Sequence, residues 1–470
     1  MQTQIVDEYS PTISQVCIPN RVTYSIEPVT RTDFSFSRKA GVHEVQVNLE
    51  FNLFPLIIDR DESLWVEANI YLLDRIKNSL NPVMTTYSCI ASDLLTYKLF
   101  LDESELNWKV FERNKLQRPT YRYRAYLMLL VECGELKSST ARRKMGAIIS
   151  FYRWLEQQEL IHPEYPMWKE SDAYIKTTNK YGASFSKKIK STDISIKLTD
   201  ASNPYNSTIK DTGNLRPLTQ YEQEWLLSSL LTLNNYEMYL IHLIALTTGA
   251  RIQSILTLRL NHVSTNMYSS DLIDIKIPAG PGTGIDTKYN KKIILHMPIW
   301  VYNKLYFYAL SENANSRRAK SVLGNSHNQY LFLTNRGTPY YQSREDLQVF
   351  KTDLSVHHKK DGQAIRQYIK DYVLPYIRET YQKPNFSYHF HDLRATFGMN
   401  LTDSQLENVA KGRISLHEAR EFVRVRMCHE SSATTDLYLQ YRHKLEHIHE
   451  VSNSYNKHLQ RIIEQYEGES

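Results

Sequence analysis

The chain has 470 residues, 41% hydrophobic and 23% charged, with 57 Lys and Arg against 51 Asp and Glu for a formal net charge of +6. That length exceeds one ordinary core and predicts roughly two or three domains, and the composition excludes a disordered chain. The positive balance leans towards a polyanionic partner without establishing one.

Cys17, Cys89, Cys133 and Cys428 are widely scattered with no CxxC spacing, which argues against a disulfide framework or zinc site and fits a reducing cytosol. The first residues lack the basic and apolar regions of a signal peptide. The most apolar stretch, Met238 to Ala250, contains His242, is too short to span a bilayer and reads as a buried helix. The expectation is a cytoplasmic protein with no membrane partner.

In chain order, residues 1–60 form an N-terminal segment that is partly strand, with alternation over Val45–Phe51 and no assignable role. Residues 61–168 turn helical. Trp65, Ile70, Leu72, Leu73 and Ile76 fit one helix, and Tyr87, Ile90, Leu94, Leu95, Tyr97 and Leu101 a second. Tyr126, Leu127, Leu130 and Val131 fit a third, ended by Gly134. Ser138, Ser139 and Thr140 offer N-caps for a fourth, with Met145, Ile148, Ile149, Tyr152 and Leu155 along one face. Its first turn holds Arg142, Arg143 and Lys144, which read either as a solvated cap or as phosphate contacts at a helix start.

Residues 169–215 are rich in Ser, Thr, Asn, Asp and Lys, include Lys187 and Lys188, and show no sustained period, so they read as a basic polar linker. The bland role is a solvated tether; the sharper one is a strap along DNA.

A further domain spans residues 216–442. Thr219 and Glu222 form a capping box ahead of a helix with Trp225, Leu226 and Leu230. A helix over Met238–Leu246 ends at Gly249, and another starts near Arg251. Strand-like runs Leu272–Ile277 and Lys292–Met297 flank a glycine-rich turn containing Lys288 and Lys291. A short apolar run, Tyr330–Leu333, precedes the Gly337-Thr338-Pro339 turn, and the remainder reads helical. Residues 443–470 form a tail helix carrying Leu445, Ile448, Tyr455, Leu459, Ile462 and Tyr466.

The chemistry lies in Arg251, His391, Arg394, His429 and Tyr438, in that order. Cutting a DNA strand without water or metal needs a nucleophile, charge stabilisation on the phosphate and a proton for the departing 5′ oxygen. A tyrosine phenol can supply the nucleophile and hold the phosphate covalently. Two guanidiniums can grip the non-bridging oxygens. Histidines can exchange protons near neutral pH or donate to those oxygens, and a lysine on a hairpin suits the leaving oxygen. His391 and Arg394, three apart at a helix start, can face one ligand while Leu393 and Phe397 face the core. Each fragment alone is commonplace, and with 33 tyrosines Tyr441 is a rival nucleophile; order and context together are far more specific.

These motifs resemble the catalytic domain of the tyrosine recombinase (phage integrase) family. The likeness runs from Leu218-Thr219 through Thr248-Gly249-Ala250-Arg251, Tyr330–Leu333 with Gly337-Thr338-Pro339, His391-Asp392-Leu393-Arg394, and His429 to Tyr438. Thr140-Ala141-Arg142-Arg143 through Phe151–Leu155 resembles the family's helical core-binding domain.

The implied fold is multi-domain and mainly α: a helical core-binding domain plus a mixed α/β catalytic domain, mostly helical with a small antiparallel sheet. The resemblance implies that Arg251 and Arg394 hold the scissile phosphate, His391 assists proton transfer, His429 bonds a phosphate oxygen and Tyr438 attacks. Lys288 best matches the family's acid, with Lys291 and Lys292 as rivals. No cofactor or metal is implied. The implied partners are duplex DNA with a specific site, a homo-tetramer assembled through the C-terminal helix, and accessory DNA-bending or directionality factors.

Three features depart from the pattern: Ser254 where an acidic residue is frequent, Cys428 where glycine is usual, and a long interval from Arg394 to His429, with an insertion expected near Asn408–Leu416. The leading expectation is a site-specific recombinase acting through a 3′-phosphotyrosyl intermediate. A type IB topoisomerase-like nicking and resealing enzyme and a non-catalytic DNA-binding regulator are the alternatives.

Overall fold

A computed structural model describes residues 14–17, 22–25, 48–51, 53–79, 82–178, 184–197, 208–211, 213–265, 272–347 and 360–443, with isolated positions in the tail. The architecture is multi-domain and mostly helical, and its sheets are small antiparallel pairs. Two compact units divide the chain between residues 202 and 203. Among the described residues no helix is long and apolar enough to cross a membrane.

In the first unit β1 (Gln15–Cys17) pairs with β4 (Leu56–Ile58), and β2 (Val22–Ser25) with β3 (Asn48–Phe51). Four helices follow: α1 (Val66–Lys77), α2 (Met84–Glu103), α3 (Pro119–Glu132) and α4 (Ser138–Gln157). The large residues marked by helical spacing build one aromatic core. Phe151 lies edge-on to Trp65 and Tyr71, with centroids 5.5 and 5.4 Å away. Buried phenols pair Tyr97 with Tyr152 at 2.7 Å, which satisfies both hydroxyls within the core.

Gly134 follows α3 in the left-handed conformation, as its position predicts. The expected cap of α4 differs. Lys137 holds the N-cap position and makes no side-chain cap bond, because the helix already includes Ser138.

Residues 169–215 differ most from expectation. Instead of an unstructured tether, β5 (Glu170–Thr178) and β6 (Ser184–Thr192) form an antiparallel ribbon. Its cross-strand ion pairs, Lys188 to Asp172 at 2.8 Å and Lys190 to Glu170 at 3.2 Å, lie between half-exposed or exposed side chains. Ala173, Ile175, Phe185 and Ile189 share one face of the ribbon, but Lys187 and the Ser and Thr residues among them interrupt the alternation and leave a weak period-two signal.

In the second unit β7 (Ile209–Lys210) and β8 (Asn214–Leu215) make a short hairpin. Next come α5 (Gln220–Thr232), α6 (Tyr236–Thr248) and α7 (Ile252–Leu256). The capping box between Thr219 and Glu222 is present in both directions. Helix α6 is buried along most of its length, with Leu240, Ile241 and Ile244 at the centre of the core, consistent with its largely apolar sequence.

Strands β9 (Asp274–Ala279) and β10 (Ile293–Pro298) pair from Asp274 opposite Pro298 to Ala279 opposite Ile293. Helices α8 (Ile299–Leu310), α9 (Glu312–Ala319), α10 (Arg344–Leu347), α11 (Gln363–Tyr368) and α12 (Leu374–Thr380) complete the outer shell. Helices α13 (Asp392–Ala410) and α14 (Leu416–Arg426) then lead to a helix over 432–443, labelled α15. The interval read as an insertion is the end of α13 and its turn into α14. The tail residues Leu445, Ile448, Tyr455, Leu459, Ile462 and Tyr466 lie outside the described residues.

Candidate active site

Gly249 ends α6 with φ +64°, and a Cβ there would meet the Phe397 ring at 2.5 Å. Only glycine makes this turn without strain. The turn delivers Arg251 to the N-cap position of α7. His391 holds the equivalent position before α13, so Arg394 lies in that helix's first turn while Leu393 and Phe397 are buried below it. The side chain of Ser431 accepts from the Ala433 amide at the start of α15, which then carries Tyr438 inward.

Arg394 fastens the site together. Its Nη1 donates to the Gly249 carbonyl at 2.8 Å, its Nη2 to the Met427 carbonyl at 2.7 Å, and its Nε to a carboxylate oxygen of Asp211 at 2.8 Å. The same Asp211 oxygen accepts from the Tyr438 hydroxyl at 3.1 Å and lies 3.2 Å from His429 Nε2. His429 Nδ1 is 3.0 Å from the Thr435 hydroxyl, fixing the ring on the first turn of α15. Arg251 Nη2 stands 3.9 Å from the other Asp211 oxygen. Arg251, Arg394, His429 and Tyr438 therefore converge on one carboxylate.

His391 and Lys288 join Arg251 along an adjoining cavity of about 630 Å³, whose wall also includes Arg366 and Lys370. The Lys288 ammonium lies 5.1 Å from the Tyr289 ring, on a turn where Tyr289 and Asn290 both have positive φ. Of the rival lysines, Lys291 is paired with Glu430 at 2.8 Å and Lys292 is exposed. Tyr441, the rival nucleophile, packs beside the apolar cluster around Tyr438 and is half-buried.

Electrostatics follow from this crowding. Burial, reinforced by the Arg251 and Arg394 charges, pushes His391 down to about 4, so it is neutral at pH 7. Burial also lowers His429, against the pull of Asp211. Burial alone would raise the Asp211 carboxyl, but the His429 hydrogen bond and the Arg394 charge hold it well below the usual carboxylate range. Burial and the nearby Asp211 charge drive the Tyr438 phenol far above its ordinary value. In this arrangement the phenol keeps its proton and donates a hydrogen bond to the ionised Asp211.

The helical unit's candidate DNA contacts are distributed differently. Arg142 is exposed on α4. Arg143 is ion-paired with Asp93, and Lys144 donates to Thr96 Oγ1 at 2.7 Å, so both are also engaged within the unit. Lys188 is tied to Asp172, and the Lys187 side chain lies outside the described residues.

No family profile matches the chain, and no curated protein matches it. Among solved structures, it is similar to the Tn1549 transposon integrase in complex with circular intermediate DNA. That similarity has 15% identity and a TM-score of 0.42, over 79% of this chain and 94% of the other. A lambda integrase dimer bound to a COC′ core site is similar at 13% identity and a TM-score of 0.40, over 78% and 94%. Both integrase chains are matched over nearly their whole length.

Sequence reading missed Asp211. The residue sat inside the presumed linker, flanked by Ile209 and Leu215, with no local cue to its role. Those two flanking residues are buried in the cluster that holds Tyr438, Met427 and Val423, so the hairpin belongs to the second unit.

Proposed function

We propose that this chain is a site-specific DNA recombinase of the tyrosine recombinase kind, cutting and rejoining strands through a covalent phosphotyrosine. The observation that carries the reading is the convergence of two guanidiniums, His429 and the Tyr438 hydroxyl on a single buried anion. Such a pocket accepts a phosphodiester in place of the carboxylate.

Arg251 and Arg394 would donate to the non-bridging oxygens and offset the charge of the pentacoordinate state. His429 Nε2 would donate to one of the same oxygens. Tyr438 attacks phosphorus, and its proton passes to neutral His391, whose basicity rises once the phosphate charge arrives. The bond from phosphorus to the 5′ oxygen breaks, and that oxygen takes a proton from Lys288. A 3′-phosphotyrosine and a free 5′ hydroxyl result. Attack by a second 5′ hydroxyl reverses the step without ATP, because the phosphodiester energy is retained. None of these groups requires a metal.

The partner is duplex DNA with a specific site, gripped also by the helical domain of residues 61–168 through the Arg142–Lys144 region. A homo-tetramer joined through the C-terminal helix, with accessory bending or directionality factors, completes the proposed assembly in the cytoplasm.

The test is trapping on DNA that flanks the chain's own gene. The native chain forms a covalent adduct with a nicked substrate, Tyr438→Phe forms none, and paired sites recombine. Absence of any adduct with the native chain defeats the reading. Relaxation of supercoils without recombination of paired sites replaces it with the topoisomerase alternative.

A further inference from the structure

The Asp211 side chain is 2% exposed and Tyr438 is fully buried, although the proposed reaction requires Tyr438 to meet a phosphorus atom of a large external substrate. One Asp211 oxygen takes up the Arg394 Nε–H, the Tyr438 hydroxyl and the His429 Nε2 face together. A phosphate's non-bridging oxygens need the same donors in the same volume, so carboxylate and phosphate exclude each other.

Asp211 also serves the site incompletely. Arg251 reaches it only at 3.9 Å, and the buried Nε of Arg251 has no hydrogen-bond partner among the described residues. A carboxylate has two acceptor oxygens, while a phosphodiester adds tetrahedral reach towards the second guanidinium.

Asp211 is carried on a light element. The hairpin pairs only Ile209 with Leu215 and Lys210 with Asn214, and it is held down by the burial of Ile209 and Leu215. Apart from the bonds that Asp211 itself makes in the pocket, only two strand pairs and two apolar anchors hold the hairpin, so a ligand that takes over those bonds releases it.

We propose that Asp211 is a built-in stand-in for the scissile phosphate, occupying the phosphate pocket in the resting chain and leaving it, with its hairpin, when a phosphodiester enters. This rests on the phosphodiester reading of the site. The displaceable carboxylate keeps the nucleophile protonated and covered until substrate competes for the arginines. It also supplies counter-charge that would otherwise be missing around the buried Arg394 and the half-buried Arg251. Its apparent cost is weaker substrate binding, by the fraction of chains in which the pocket is open.

The experiment titrates inorganic phosphate against the full-length native chain, Asp211→Asn and Asp211→Ala, following phosphorus-31 line broadening and thermal denaturation. Asp211→Asn should melt lower than native without phosphate, recover on phosphate addition, and bind phosphate roughly tenfold tighter or more. In the native chain, saturating phosphate should speed hydrogen exchange of the 209–215 amides, a readout that does not depend on any variant folding. Equal or weaker phosphate binding by a folded Asp211→Asn overturns the proposal, as does hairpin exchange that phosphate leaves unchanged. The adduct assay keeps the two ideas separate. An adduct without a phosphate gain sinks the stand-in alone, and a phosphate gain without an adduct upholds it as an anion latch while sinking strand transfer.

Discussion

Gly398 lies inside α13 with the Tyr438 ring against its backbone. A methyl group there would stand 2.9 Å from Met427 Cε and 3.0 Å from Tyr438 Cδ1, with ring atom Cε1 closer still. Ordinary carbon contacts begin near about 3.5 Å, so Gly398→Ala must push the phenol away by on the order of 1 Å. Two terms then oppose each other in stability. Alanine gains about 1 kcal/mol over glycine in a helix interior, while overpacking costs about 1–3 kcal/mol. The net is a loss of about 0–2 kcal/mol, too small to unfold the domain.

The chemical effect is larger, because misplacing a reacting atom by about 1 Å can cost on the order of 100-fold in rate. Urea unfolding and the rate of covalent adduct formation, measured on the same preparation, should therefore diverge: near-native stability with adduct formation lowered roughly 100-fold. Gly146 in α4 is the control. Its added methyl meets nothing within 4 Å, so Gly146→Ala should gain up to about 1 kcal/mol and leave the rate unchanged. A Gly398→Ala chain that is about 1 kcal/mol more stable and reacts at the native rate would refute the reasoning.

The other expectations concern the turn, the acid and pH. Gly249→Ala forces a side chain into a left-handed position against Phe397 and should cost about 1–3 kcal/mol in urea unfolding while disordering Arg251; unchanged stability would contradict it. Lys288→Met should slow cleavage of an ordinary strand but be largely rescued on a substrate whose 5′ leaving group needs no proton, whereas Lys291→Met should lose little; the reverse pattern would reassign the acid. His242 and His391 are both pushed down to about 4 by burial, so the unfolded chain binds more protons than the folded one between about pH 6.5 and 4. Their contribution is complete above about 6.5 and lost as pH falls to about 4. Replacing His242, fully buried between the Met238 carbonyl and the Tyr388 hydroxyl, with Gln should flatten that slope in unfolding titrations, and an unaltered slope would count against it.

What the sequence made legible was whatever repeats along a helix or stands in a short motif. The four helices of the first unit follow from their apolar spacing, and the box at Thr219 and Glu222 from two residues three apart. Arg251, His391, Arg394, His429 and Tyr438 were named from order and context, and the structure places them around the Asp211 carboxylate and the cavity beside it. The ribbon of β5 and β6 was not legible, because Lys187 and several Ser and Thr residues interrupt the alternation of its apolar face, Ala173, Ile175, Phe185 and Ile189. Asp211 was hidden for a different reason. Its meaning depends on side-chain hydrogen-bond partners between 183 and 227 positions away, and nothing adjacent marks a carboxylate as buried.

Arg394 binds the peptide oxygens of Gly249 and Met427, segments that emerge from synthesis far apart. A nascent or clipped polypeptide ending before α14 would therefore possess the arginines and the first histidine, yet lack both the second anchor and the phenol. Under the strand-transfer chemistry proposed above, such a partial product would hold a phosphate-binding half-site without the nucleophile, and so could bind DNA without cutting it.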